Sequence, residues 1–263
     1  MDCSSAKPMS RKMKRYKILL VVAVVSVILF DLINRKDPTV EPVRPVEPAY
    51  VGTLIEYEGY TVSYNPDAKI PVWVKYELDR SEIDGPYTRK GLGFRRDKSV
   101  DLPQASDDDY RNSGWSRGHM APAGDFKWSE EAMGDTFYFT NCCPQNQSLN
   151  AGQWSTLEDK VRLWAKKYGQ VIVYTGPIVG ANEYGTIGEN KVVVPDAFFK
   201  AVLSGNQAIA FVMYNCPNNE NMQKYSMTVD DLEILTGLDF FPELDDTVEE
   251  KIESTYSLKY WNL

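Results

Sequence analysis

The 263-residue chain has a single histidine, His119, two residues after Arg117 in the stretch SRGH. Imidazole is the side chain whose ordinary pKa, about 6.5, lets it take up a proton and return it near neutrality. Arginine presents a planar fork of donors that matches phosphate oxygens. Between them Gly118 lets neighbouring backbone come close. Downstream, TNCCPQNQSLNAGQW supplies Asn141 and Asn150, neutral oxygen donors suited to a hard cation such as Mg2+. Glu158 lies eight residues after Asn150. Hydrolysis of a phosphodiester needs a nucleophilic water, charge neutralisation on the non-bridging oxygens and stabilisation of the leaving oxygen. An imidazole base, a guanidinium and a hydrated cation meet those needs.

Each residue also has a plainer reading. A lone histidine is commonly a surface or hydrogen-bonded core residue, and Arg117 reads equally as a solvated charge. Asn141 suits the end of a strand, where its carboxamide would satisfy backbone groups. Asn150 is an ordinary turn residue, and Glu158 completes a capping box with Ser155 in STLE. If Asn150 and Glu158 share one helix, their Cα atoms stand about 12 Å apart at 1.5 Å per residue, so they would reach one cation only through water.

The surrounding elements follow from periodicity. TLIEYEGYTVSYNPDAKIPVWVKYEL predicts two or three strands around a Pro/Asp turn. From Asp79 to Asn112 the chain is polar and reads as loop; within it TRKGLGFRRDK is either a solvated loop or a nucleic-acid-binding strip with Phe94 as a stacking group. DTFYFTNCCPQ is strand-like and closes at Pro144. Trp154, Leu157, Val161, Trp164 and Tyr168 recur every three or four residues, the stripe of an amphipathic helix that Gly169 ends, with both tryptophans in the core. QVIVYTGPIVG, KVVVPDAFFKAVLS and QAIAFVMYN are further strands. TVDDLEILTG predicts a late helix with Thr228 and Asp231 as a capping box and Gly237 as the stop. The class is α+β, a mixed or antiparallel sheet core with flanking helices.

The N-terminus differs in kind. RKMKRYK carries five basic residues in seven and precedes ILLVVAVVSVILF, so residues 1–34 read as a signal or membrane-anchor segment. An uncleaved anchor with its N-terminus inside and a cleaved signal peptide both place the remainder outside the cytoplasm, membrane-held or exported (periplasmic or secreted). Residues 35–50, with four prolines, read as a stalk-like linker, and residues 51–263 as the folded domain. The whole chain carries −8; beyond residue 36 there are 21 basic against 35 acidic residues, a net −14. Such a domain repels polyanions overall, so nucleic-acid binding requires a local basic patch or a metal ion. One of Cys142 and Cys143 could pair with Cys216 in an oxidising compartment, and free thiols serve as well; no Cys or His spacing suits structural zinc.

The stretches SRGHMAPAGDF, FTNCCPQNQSLNAGQWSTLEDKVR, VIVYTGPI, VPDAFFKAVL and DDLEILTGLDFFPEL, in that order, resemble the DNA/RNA non-specific endonucleases, the ββα-metal nucleases that include endonuclease G. The resemblance spans residues 51–245. It implies a ββα-metal motif and a Mg2+-dependent endonuclease, with Mn2+ as a substitute ion, that hydrolyses DNA and RNA without sequence preference. His119 would be the general base, Asn150 the single protein ligand of a hydrated cation, and Glu158 a further metal-site residue acting through water. Asn141 would orient the site and Arg117 would bind phosphate. Dimers occur among the relatives, so a homodimer is expected without an identifiable interface. Ser116 stands where the family's motif begins with aspartate, which bears on metal affinity or optimum pH. Two other readings fit the same domain: a phosphodiesterase for another substrate, and a non-catalytic binding module that keeps the fold.

Overall fold

A computed structural model describes residues 52–263 except 181 and 218. The expected anchor and linker, residues 1–50, lie outside the described residues. Seven strands form one sheet: β1 (Thr53–Glu56), β2 (Tyr60–Asn65), β3 (Ile70–Asp79), β6 (Gln170–Ile178), β9 (Ala197–Ser204), β10 (Gln207–Tyr214) and β11 (Ser226–Met227), in that spatial order. Every neighbouring pair is antiparallel, so the α+β expectation holds in its antiparallel form. Two small ribbons accompany it: β4 (Ser116–His119) with β5 (Cys142–Gln145), and β7 (Thr186–Ile187) with β8 (Val192–Val193).

Helices cover both faces of the sheet. The first ones are short: α1 (Asp107–Tyr110), α2 (Glu130–Asp135) and α3 (Gln147–Leu149). The long helix α4 (Ser155–Tyr168) buries Leu157, Val161 and Trp164. These join one core with Val74, Tyr76, Val173, Phe198, Val202 and Phe211 of the sheet. Burying each such side chain contributes about 1.5–3 kcal/mol, which fixes the azimuth of α4. Gly169 ends it at φ +99°, backbone that a side chain would strain. The opposite face presents Tyr174, Phe199, Ala201, Leu203, Ala208 and Ala210 to α5 (Val229–Thr236) and α6 (Asp246–Glu253). Thr228 Oγ1 caps α5 by accepting from Asp231 N at 3.0 Å, and Gly237 closes it in the left-handed region.

Two expectations change and an open one is decided. DTFYFTNCCPQ is not one strand: Phe139–Asn141 form a 3-10 turn and only Cys142–Gln145 pair, with Pro144 inside the strand rather than at its end. A two-stranded ribbon has a free edge that tolerates a residue without an N–H. Of the two states left open for the cysteines the free thiols hold: Cys142 and Cys143 are both buried thiols, and Cys142 Sγ lies 3.5 Å from the Tyr110 hydroxyl. Finally, α6 and α7 (Leu258–Trp261) add structure beyond the last predicted helix, and Trp261 is fully buried against Trp164.

Candidate active site

β4, β5 and α4 place the residues singled out above. In the antiparallel register Arg117 faces Pro144, Gly118 faces Cys143 and His119 faces Cys142. Alternation puts Arg117 and His119 on one face of the ribbon. Gly118 is required there, since a Cβ would stand 2.2 Å from Gln145 Oε1.

His119 is half-buried, with Phe94 at 4.6 Å between ring centroids and Phe137 perpendicular at 4.9 Å. Its Nε2 is buried and has no hydrogen-bond partner. Burial, with the Arg89 charge adding, pushes the imidazole down to about 3 and keeps the ring neutral at physiological pH. Phe94 is therefore a wall of the histidine site; it also packs on Phe137 and Phe139, which takes it out of the role of a free stacking platform.

Arg117 is oriented by α1. Its Nη2 pairs with Asp107 Oδ1 at 2.7 Å and donates to Asp107 O at 3.0 Å, while the guanidinium lies 5.2 Å over the Tyr110 ring. Its Nε is buried without a partner. The helix is itself anchored: Asp109 accepts from Ser106 N and Oγ at 2.7 and 2.8 Å, and from Asn190 N and Nδ2 at 3.0 and 2.7 Å.

Asn141 is fully engaged. Its Oδ1 accepts from Ala121 N, and its Nδ2 donates to Ala121 O and Thr136 O, each at 2.9 Å. Its own carbonyl accepts from Met120 N at 3.0 Å. Backbone and side chain of Asn141 together thus clamp Met120 and Ala121, the two residues that follow His119, and the carboxamide has no donor left for a substrate.

Asn150 and Glu158 differ from it. Asn150 begins a π-type turn, Asn150–Trp154, inside which Gly152 departs from helical backbone at φ −110°, ψ −110°. The straight-helix spacing of 12 Å therefore does not apply to this pair. Neither side chain makes a hydrogen bond or ion pair with a described residue, and both are half-buried. The Ser155–Glu158 capping box is absent, because α4 continues directly from the π-type turn and Trp154 at its N-cap makes no side-chain cap. Ser116 Oγ contacts Gln147 Oε1 in the position of the family's aspartate.

Around Glu158 lies a charged cluster that the sequence reading missed. Asp125 is 1% exposed and accepts from Tyr76 Oη at 2.9 Å and Arg162 Nη1 at 2.6 Å. Lys200 is fully buried 4.8 Å over the Trp154 ring, its Nζ without a hydrogen-bond partner. Burial raises the Glu158 carboxyl and lowers the Lys200 ammonium, and each charge partly restores the other. Two signals were available: Arg162 follows Glu158 by four residues on α4, and Lys200 is the sole charge in the apolar run AFFKAVLS.

Residues 43–247 match the family model of the DNA/RNA non-specific endonucleases. The chain belongs to that family. It is 33% identical to the mitochondrial nuclease EXOG of Xenopus laevis over 82% of this chain and 68% of that protein. To human mitochondrial nuclease EXOG it is 34% identical, over 73% of this chain and 57% of that one. To human mitochondrial endonuclease G it is 35% identical, over 71% and 69%. Among solved structures, the crystal structure of the EndoG/EndoGI complex matches with a TM-score of 0.70 at 28% identity, covering 79% of this chain and 91% of that one.

These relatives correct the expected extracytoplasmic, membrane-held placement, since they are mitochondrial nucleases by name. A basic, acid-poor start followed by apolar residues is a charge pattern that an organelle-targeting leader shares with an export signal. No helix among the described residues is long and apolar enough to cross a membrane.

Proposed function

We propose that the domain is an endonuclease that hydrolyses phosphodiester bonds of DNA and RNA, with His119 as general base. The observation that carries this reading is the neutral imidazole of His119, its Nε2 without a protein partner, on the same ribbon face as Arg117. A base must be unprotonated and unengaged to take a proton from an attacking water, and His119 is both.

Arg117 binds a non-bridging phosphate oxygen and offsets the charge that grows there, and Asp107 with Tyr110 holds its guanidinium in place. Asn141 fixes the backbone beyond His119 and so sets where the ring stands. Phe94 and Phe137 keep bulk water from one side of the imidazole.

The donor set fits Mg2+, with Mn2+ as a substitute: among the described residues none uses the Asn150 carboxamide oxygen and none pairs with the Glu158 carboxylate. Buried and half-buried polar groups are ordinarily paired, so idle oxygens suit a ligand. Asn150 would hold the ion directly and Glu158 through water, and the ion would supply positive charge at the phosphate and at the leaving oxygen. With no base-reading element beside it, a site of this kind attacks the sugar-phosphate backbone whatever the sequence.

The test is plasmid nicking and RNA degradation by the purified chain and by His119→Ala, with and without EDTA. The variant is expected to lose about 100- to 10,000-fold in rate, and EDTA to abolish the remainder. Undiminished hydrolysis by a correctly folded His119→Ala protein would overturn the assignment.

A further inference from the structure

On the opposite face of the sheet from α4, two helices turn acids towards each other. Asp230 and Glu233 are three residues apart on α5, and Glu249 and Glu253 four apart on α6, spacings that put each pair on one helix face. Carboxylate oxygens of Asp230, Glu233 and Glu253 all lie within 4.8 Å of one another. Among the described residues no lysine or arginine pairs with any of them. Glu233 Oε1 accepts from Phe240 N at 2.8 Å, which fixes that side chain. Glu253 supplies the second observation. It is only 3% exposed, its carboxylate reaches the cluster, and its Oε1 is buried with no hydrogen-bond partner among the described residues. Burial first, then Glu233, Glu249 and Asp230, pushes its carboxyl up to about 8, so the bare cluster is an unfavourable arrangement.

We propose that Asp230, Glu233 and Glu253 form a calcium site that clamps α5 to α6. An all-oxygen, carboxylate-rich donor set selects a hard cation over zinc or copper. Oxygens on opposite sides of a magnesium ion stand about 4.2 Å apart, and around calcium about 4.6–5.2 Å. Three carboxylates gathered within 4.8 Å of one another fit inside the calcium shell, and an all-protein carboxylate set suits the flexible coordination of calcium better than magnesium, which usually keeps several waters. The site is separate from that of His119: Val229, Leu232 and Ile252 pack with Phe199 and Ala201, while His119 rests on Phe94 and Phe137 in the other core. Its role is to hold the C-terminal helices against the sheet.

The test uses the full chain in an Asn150→Ala background, dialysed against chelator, so that binding through the nuclease site does not contribute. Calcium and, separately, magnesium are titrated by calorimetry and by thermal unfolding. One calcium should bind per chain and raise Tm by about 5–10 °C at a hundredfold excess over Kd. Glu253→Gln should abolish the binding and the shift yet be at least as stable as its parent in chelator, because a neutral amide replaces a carboxyl that burial already keeps largely protonated. The half-buried Asp230→Asn, less able to disturb folding, should weaken binding at least tenfold. In the Asn150-intact chain Glu253→Gln should leave nuclease activity unchanged. No shift with calcium, or a shift that survives in both variants, overturns the site and leaves Glu253 a buried protonated acid. A magnesium response at lower concentration than calcium overturns the choice of ion.

Discussion

Asn141 and Asn150 lie nine residues apart, in regions that use the same side chain in opposite ways. Around Asn141 both amide hydrogens and the carbonyl oxygen are bonded to backbone at 2.9 Å. At Asn150 the carboxamide bonds to no described residue, and the backbone beneath it leaves helical geometry two residues later. The first asparagine serves the architecture, while the carboxamide of the second is left open to a ligand. The same division separates Asp109, with four donors, from Glu158, with none. In these two pairs the groups that set geometry are saturated and the other two make no hydrogen bond with a described residue; Arg117 is intermediate, its Nη2 held by Asp107 and its Nε without a partner among the described residues.

Four measurements break or sharpen the contrast. Asn141→Ala leaves Ala121 N, Ala121 O and Thr136 O without partners in the interior, at a cost of about 3–6 kcal/mol; thermal unfolding should show it as a large fall in Tm. Equal stability to the parent would place Asn141 with Asn150. For Asn150→Ala the expectation is reversed: a loss of rate on the order of 100-fold with Tm unchanged within error, read by single-turnover nicking and calorimetry in parallel. A fall in Tm comparable to that of Asn141→Ala would erase the distinction.

The third concerns acid. The imidazole of His119 titrates near 6.5 when unfolded and is held down to about 3 when folded. Between those values the unfolded chain binds the extra proton, so stability is complete above pH 6.5 and falls as pH drops towards 3, by at most about 1.4 kcal/mol per pH unit. Raised carboxyls such as Glu158 and Glu253 slope the other way in this window, so the histidine is read from the difference: in urea unfolding at pH 7, 6 and 5 the parent should lose stability relative to His119→Gln as pH falls. For the same reason the acid limb of kcat/KM should lie below the ordinary imidazole range. The smallest effect is expected at Ser116→Asp, which restores the family's carboxylate beside Gln147. The magnesium concentration for half-maximal rate should shift by less than about fivefold, under 1 kcal/mol.

Legibility followed the range of the interactions. Leu157, Val161 and Trp164 could be placed because a 3.6-residue period is a local property, and they form the buried stripe of α4. Thr228 and Gly237 could be placed because a cap is decided within four residues. The relation of Asn150 to Glu158 could not, since it depends on one glycine adopting φ −110°, ψ −110°, which no spacing announces. Lys200 was hidden for another reason. Alternation puts it on the α4 side of β9, and its surroundings, Tyr76 and Trp154, come from strands and turns far away in sequence. The sequence left a disulfide and free thiols both open for Cys142 and Cys143, because the choice depends on tertiary surroundings; both thiols are buried and free. The N-terminal segment misled on location because net charge and hydropathy do not distinguish which membrane a leader addresses.

The packing of Trp261 sets an order of events in biosynthesis. Its indole is fully enclosed, 4.9 Å from the Trp164 ring, and its carbonyl accepts from Trp164 Nε1 at 2.8 Å. Trp164 sits on the helix that also carries Glu158 and Arg162. A ribosome must therefore finish residue 261 before that helix has its last neighbour, so nascent chains still under translation lack the enclosed Trp164–Trp261 contact.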